Sequence, residues 1–260
     1  MKEARKRPMK GGDIMSVLTI SIQKGGTGKT ATAAALAQAA AKKRKKVLAI
    51  DLDPQGNLSF SLGANVTSDG AAAFLDGTDA AGLIKSIDGI NIIPASPALA
   101  AIKSEKGSAR RLADALKGVK GLYDLVIIDT PPTAGALQYN ALQAADGLII
   151  PLGADVFSWH GLFDIDGTAE QIKKTNPALE VLGVVLTNYD ARSTIARQMR
   201  ERIEESAKSL NYPFLGVVRS GIAVKEAATL QKSIFDYAPE SKPAADYMAI
   251  YQRIKSKMHK

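Results

Sequence analysis

Eight consecutive residues, Gln23-Lys24-Gly25-Gly26-Thr27-Gly28-Lys29-Thr30, carry the densest chemistry in the chain. Gly25, Gly26 and Gly28 let a backbone wrap an anion with no side chains in the way, so that several N–H groups converge on one spot. Lys29 has the length to reach the outer phosphates of a nucleotide, and the Thr30 hydroxyl suits Mg²⁺. The phosphate cradle is read as Lys24, Gly25, Gly26, Thr27, Gly28, Lys29, Thr30 and Ala31. The ligand expected there is a nucleoside triphosphate, ATP or GTP, with Mg²⁺. The usual pattern G-x-x-x-x-G-K-[ST] fails at its first position, where Gln23 stands; the form that fits is K-G-G-x-G-K-[ST], with a second lysine at Lys24.

Breaking a triphosphate needs cations, a Mg²⁺ shell and a carboxylate that holds the attacking water, and little covalent work falls to the protein. Three aspartates stand at the ends of apolar runs. Asp51 and Asp53 lie in Val47-Leu48-Ala49-Ile50-Asp51-Leu52-Asp53-Pro54-Gln55-Gly56-Asn57, and Asp129 lies in Leu125-Val126-Ile127-Ile128-Asp129-Thr130-Pro131-Pro132. With the two-lysine loop, these segments resemble those of ParA-type partition ATPases, relatives of MinD and Soj. The resemblance runs from about Ser16 to the C-terminus, with its three motifs in the right order.

That resemblance implies a weak, partner-stimulated ATPase and roles for named residues. Asp129 would hold Mg²⁺ through a water, Asp51 would lie near the same shell with Thr30, and Asp53 would align the attacking water. Only one of Asp51 and Asp53 is expected to meet that water directly. Lys24 would reach the nucleotide of a second subunit, making ATP the glue of a homodimer, so the catalytic set is Lys24, Lys29 and Asp53. Two positive loops repel until triphosphate and Mg²⁺ fill the gap between them. The purine would be read near Asn188 and by backbone around Val218.

The resemblance also implies non-specific DNA as a partner of the ATP dimer, and a ParB-like, centromere-bound adaptor that stimulates hydrolysis. Candidate phosphate contacts are Arg192, Arg197 and Arg200, and Arg219 and Lys225 in the segment where the family commonly carries such arginines. Here an alanine takes one usually basic position. Contacts of this kind bind any sequence and weaken with salt. Two alternatives stand beside this reading. One is a MinD-like or cargo-positioning ATPase on membrane or nucleoid; the other is a ligase in which ATP activates a small carboxylate.

To position these residues the chain needs strands that end together on one edge. Apolar runs at 16–22, 47–52, 90–94, 124–129, 147–152, 181–187 and 213–218 alternate with helical stretches. That alternation predicts an α/β fold with a parallel sheet of about seven or eight strands, flanked by helices on both faces. The loop should turn into an alanine-rich helix over 31–42, placing the positive end of a helix dipole at the phosphates. Further helices are expected at 192–209 and 243–258. The stripe Tyr247, Tyr251, Ile254 and Met258 on the latter is read as packing on the core rather than as a membrane anchor.

At 260 residues and 46% hydrophobic composition, the chain can bury one substantial core, so residues 16–260 are read as one domain. Residues 1–15 read as a basic tail, with a polyanion-binding arm and a sequence leftover weighed equally. The run Lys42-Lys43-Arg44-Lys45-Lys46 is read first as a solvated helix end and second as a DNA contact. No apolar run approaches membrane-spanning length, and a cytoplasmic protein, nucleoid-associated when ATP-bound, is expected. The chain has no cysteine, which excludes the thiolate-held clusters and metalloid sites that some proteins with this loop carry. The net charge of +8 suits an acidic partner without choosing one.

Overall fold

Three short runs, Ser16–Ile20 (β1), Val47–Asp51 (β2) and Leu125–Asp129 (β5), are buried along their whole length. Strands rich in Val, Ile and Leu that hide both faces belong in the middle of a sheet covered on two sides. The computed structural model, which describes residues 15–103 and 108–258, builds that arrangement. Between and beyond these strands lie Lys85–Ile87 (β3), Ile90–Ile93 (β4), Gly147–Gly153 (β6), Glu180–Tyr189 (β7) and Phe214–Arg219 (β8). The eight form one sheet in the order β3-β4-β2-β5-β1-β6-β7-β8. Every neighbouring pair is parallel except β3, which runs antiparallel to β4 at the edge.

The longer helices are Lys29–Lys42 (α1), Ala136–Ala144 (α2), Val156–Lys173 (α3), Thr194–Ser209 (α4), Ile222–Thr229 (α5) and Lys242–Lys255 (α6). On one face, the alanines of α1 sit against Leu18, Ile20, Val47 and Ile127, with Tyr247, Ile250, Tyr251 and Ile254 of α6 beside them. The small side chains of α1 bring its backbone close to the sheet, and that closeness sets where the loop before it must turn. On the opposite face, Leu148, Ile150, Val184 and Leu186 meet Leu162, Ile165 and Ala169 of α3 and Ile203 of α4.

Several boundaries differ from the sequence expectation for local reasons. α1 begins at Lys29, two residues early, because the loop passes straight into the first turn. α4 begins at Thr194 because the Ser193 hydroxyl accepts from Ala196 N, at 3.2 Å, and caps the helix there; Arg192 is left outside it. α6 runs over Lys242–Lys255, and its stripe of Tyr247, Tyr251 and Ile254 is buried in the core, with Met258 packed against the same cluster. The three-residue edge strand β3 is too short and too polar to leave a periodic signal. No helix among the described residues is long and apolar enough to cross a membrane. The basic segment before residue 15 lies outside the described residues.

Candidate functional site

The central strands β2, β5 and β1 end side by side, with Asp51 paired in register to Asp129 and Asp129 to Ile20. The loop leaves β1 at this edge and enters α1. Gly26 and Gly28 adopt φ values of 75° and 78°, left-handed conformations that glycine reaches without strain. A Cβ on Gly28 would also stand 3.2 Å from Thr187 Oγ1. That hydroxyl donates to the Thr27 carbonyl at 2.8 Å, so the end of β7 props the loop from behind. α1 has no side-chain cap and no acidic residue in its first turn, leaving its first N–H groups and dipole uncompensated by the protein. Thr27 Oγ1 is buried without a hydrogen-bond partner among the described residues.

Lys29 is buried, and its ammonium donates to the Lys24 carbonyl at 2.6 Å. Burial pulls its pKa below the usual lysine value, while the charges of Asp129 and Asp53 work in the opposite direction. The Thr30 hydroxyl donates to Asp129 Oδ2 at 2.7 Å. Asp129 is fully buried and its pKa is raised, first by burial and then by the charge of Asp51 on the next strand. Asp51 is pushed up to about 6 by burial, against hydrogen bonds from the Ser59 hydroxyl (2.7 Å), Ser59 N (2.8 Å) and Asp53 N (3.1 Å). Two buried carboxylates that each disfavour the other's charge, with a threonine hydroxyl on one of them, form an oxygen donor set that a divalent cation would relieve.

Asp53 follows that pair outside the strand, its N–H on Asp51 and its charge adding to the rise of both. Alternation along a regular strand would put residues two apart on one face. Instead β2 ends at Asp51, and Asp53 begins a turn in which it accepts from Gln55 N at 3.0 Å while its carbonyl accepts from Gly56 N at 2.9 Å. This turn leaves Asp53 close enough for its charge to act on Lys29. Asp51, by contrast, is held inward by Ser59.

The second lysine goes elsewhere. Lys24 Nζ donates to Asp155 Oδ1 at 2.5 Å and Ser158 Oγ at 3.0 Å, and lies 5.4 Å from the centre of the Phe157 ring. Asp155 also caps α3 by accepting from Ser158 N at 2.9 Å. Its own burial opposes its charge, but the bonds from Lys24 and Ser158 outweigh that and hold its pKa below the usual carboxylate value.

The remaining sequence candidates are scattered around this centre. Asn188 closes β7 in a left-handed conformation, φ 49°, and its Oδ1 accepts from Ser220 Oγ at 2.9 Å. Val218 is buried in β8, so only its backbone is offered. Of the basic candidates, Arg219 is held by Asp246 through two nitrogens, Arg192 by Asp190, and Arg200 by Glu204 at 2.6 Å. Arg197 donates to the carbonyl of Ala191 at 2.7 Å. Lys225 is exposed on α5. The sequence reading missed Ser59, Asp155, Ser158 and Thr187. It also missed a buried polar chain in which Gln23 donates to Gln138, Gln138 to Ser21, and Thr130 to Ser21. Only Asp155 carried a local signal, an aspartate three residues before a serine at the start of a helical stretch.

Comparison with known proteins agrees with this geometry. A family profile described as an AAA domain matches residues 15–181. The chromosome-partitioning ATPase Soj of Thermus thermophilus is 34% identical over 243 residues, covering 93% of this chain and 96% of that protein. The chromosome partitioning protein ParA of Caulobacter vibrioides is 34% identical over 259 residues, covering 94% and 95%. Among solved structures, cobyrinic acid a,c-diamide synthase from Mycobacterium smegmatis, with a bound ATP analogue and magnesium, superposes with a TM-score of 0.77 at 30% identity, covering 90% of this chain and 92% of that one. The septum site-determining protein MinD of Pyrococcus horikoshii, complexed with Mg-ADP, shares the fold with a TM-score of 0.75 at 24% identity, over 95% and 98% of the two chains.

Proposed function

Because the chain belongs to the ParA/Soj family of partitioning ATPases, we propose that it segregates DNA by binding and hydrolysing ATP as a sandwich dimer. The observation that carries this is the separation of the two loop lysines: Lys29 is buried within the loop, whereas Lys24 reaches out to α3. On this reading one lysine serves the protomer's own phosphates, and the other exchanges Asp155 for a neighbour's.

Bound ATP with Mg²⁺ would supply the scissile phosphoanhydride and a cation that spreads charge as the phosphoryl group transfers. The N–H groups from Gly25 to Ala31 hold the phosphates, and Lys29 neutralises them from inside the loop. Thr30 and Asp129 would hold the Mg²⁺, Asp51 would support it from the adjacent strand, and Asp53 would orient the water. The side chain of Asn188 and the backbone at Val218 border the purine. In the ATP state the dimer binds duplex DNA without sequence preference through Arg197, Arg219 and Lys225, with Arg192 and Arg200 nearby. A ParB-like adaptor on a centromere site accelerates hydrolysis and releases the dimer, so the protein is nucleoid-associated only while ATP is bound.

The test is Asp53→Ala in saturating Mg-ATP. It should keep ATP, lose turnover and give a dimer by light scattering that retards random-sequence duplex. A monomer under those conditions, with ATP bound, would refute the sandwich. The ligase reading and a positioning ATPase that uses the membrane predict no duplex retardation by that dimer, and the latter predicts its capture by anionic liposomes instead. The burial of the α6 stripe in the core weighs against a membrane anchor in that helix.

A further inference from the structure

Gln23 stands where the usual loop pattern has its first glycine, and the phosphate cradle, which begins at Lys24, makes no use of its side chain. The fold nonetheless commits that side chain on two sides. Both hydrogens of its amide are taken, Nε2 donating to Gln138 Oε1 of α2 at 3.1 Å and to Thr168 Oγ1 of α3 at 2.7 Å. Thr168 in turn donates to the Asp164 carbonyl at 3.0 Å, so its hydroxyl can only accept from Gln23. Gln138, having given its oxygen to Gln23, turns its nitrogen to Ser21 Oγ at 3.0 Å, where Thr130 also donates at 3.0 Å. Ser21, Thr130 and Gln138 are 0% exposed and Thr168 is 8% exposed, so a bond lost from this chain leaves a polar group without water to replace it. The orientation of the Gln23 amide is thereby fixed.

Three successive residues meet α3 at three heights. Ile22 packs where the helix has Gly161; a Cβ there would crowd Ile22 Cδ1 at 3.1 Å. From that contact Gln23 reaches toward the C-terminus of α3, to Thr168, and Lys24 reaches toward its N-terminus, to Ser158 and Asp155. At about 1.5 Å per residue, Ser158 and Thr168 lie about 15 Å apart along the helix. Two adjacent side chains therefore diverge on either side of the Ile22 contact. With Gln23 held toward Thr168, Lys24 leaves the loop toward the start of α3.

The cradle itself is held by other bonds. Thr187 donates to the Thr27 carbonyl at 2.8 Å, Lys29 donates to the Lys24 carbonyl at 2.6 Å, and α1 takes over directly after Gly28. None of these runs through the Gln23 side chain. Loss of the Gln23 clamp should therefore free the direction of Lys24 and leave the protomer's own phosphate site formed.

We infer that Gln23 is a positioning residue for Lys24: clamped between Gln138 and Thr168, it aims the lysine that serves a second copy's nucleotide, a role that rests on the sandwich reading above. The test compares Mg-ADP affinity with dimerisation in saturating Mg-ATP, followed by light scattering over a range of protein concentrations, with Asp53→Ala as the parent so that ATP persists. Gln23→Met keeps the length and neutrality of the side chain and loses both hydrogen bonds. It should bind Mg-ADP within about threefold of the parent and dimerise at least about tenfold more weakly, the scale of two neutral hydrogen bonds. Thr168→Val probes the same clamp from outside the loop, so the role stays testable if Gln23→Met does not fold. It should weaken dimerisation about threefold with Mg-ADP affinity kept, whereas Thr168→Ser, which keeps the hydroxyl, should match the parent. A general loosening of the loop would instead weaken Mg-ADP binding and dimerisation together. Equal dimerisation of Gln23→Met and the parent, a fall in Mg-ADP affinity as large as the fall in dimerisation, or Thr168→Val and Thr168→Ser behaving alike would each overturn the role of Gln23. A parent that stays monomeric in Mg-ATP would refute the sandwich itself, before any substitution at Gln23 is made.

Discussion

Single residues in this site are held with very different strengths, and those strengths divide what must move from what must stay. The Lys24–Asp155 pair is partly exposed on both sides, 26% and 45%, so its worth is that of a surface ion pair, about 0–1 kcal/mol. A triphosphate offered by a second copy could replace Asp155 at little cost. Asp51 is the opposite case. It is buried, raised to about 6, and kept in place by Ser59 through both its hydroxyl and its backbone N–H. Removing a hydroxyl from a buried carboxylate leaves part of the acceptor unsatisfied, at about 1–3 kcal/mol. The Ser59 hydroxyl also accepts from Ala95 N at 2.9 Å, so Ser59→Ala loses a second bond. Ser59→Ala should therefore be destabilised by roughly 2–4 kcal/mol in urea, and Mg²⁺ should recover part of that loss by taking over the carboxylate. A loss below about 0.5 kcal/mol, the scale of an ordinary surface substitution, would show that Ser59 does not support Asp51. Ser59 was invisible in the sequence because nothing local links it to a carboxylate eight positions earlier. The loop was legible because its glycines and lysines act on one ligand within eight consecutive residues.

Elements were legible where their apolar period is long, and less so where a neighbour decides. The seven expected strands all form, and the eighth, β3, exists because β4 offers it a partner. The joint between β1, β6 and β7 depends on one residue just before β6. Asp146 accepts from Val17 N at 2.8 Å through its side chain, donates from its N–H to the Val17 carbonyl at 2.8 Å, and accepts from Glu180 N at 2.9 Å. Burial raises its pKa, with the Val17 hydrogen bond opposing. A carboxyl whose folded pKa lies above its unfolded value adds most stability below about pH 4, and that contribution is lost as pH rises through the folded value. Asp146→Asn keeps an oxygen acceptor for Val17 N and cannot ionise. The stability of this variant minus that of wild type should therefore rise between about pH 4 and neutrality, followed by urea unfolding at several pH values. A difference that stays flat, or falls, across that range would mean that Asp146 carries its charge without penalty.

At the scale of the whole molecule the question is whether two positively charged copies can be held together by what they bind. Each chain has a net charge of +8, so close approach is opposed until phosphates are present, and the opposition weakens as salt shortens the screening length to about 10 Å at 0.1 M. A ligand bound only by the folded state at a hundred times its dissociation constant adds about 2.7 kcal/mol, or roughly 5–11 °C in unfolding midpoint for a chain of this size. Both ADP and ATP should give a shift of that kind, since both fill the loop. Only ATP should make the midpoint depend on protein concentration, because only then is the folded partner itself a ligand. Thermal unfolding of Asp53→Ala at two protein concentrations tenfold apart should thus show one midpoint in Mg-ADP and two in Mg-ATP, the higher at the higher concentration. Coincident midpoints in Mg-ATP would leave the nucleotide bound to a single copy, with Lys24 still on Asp155, and the sandwich would have to be abandoned while the ATP site itself survived.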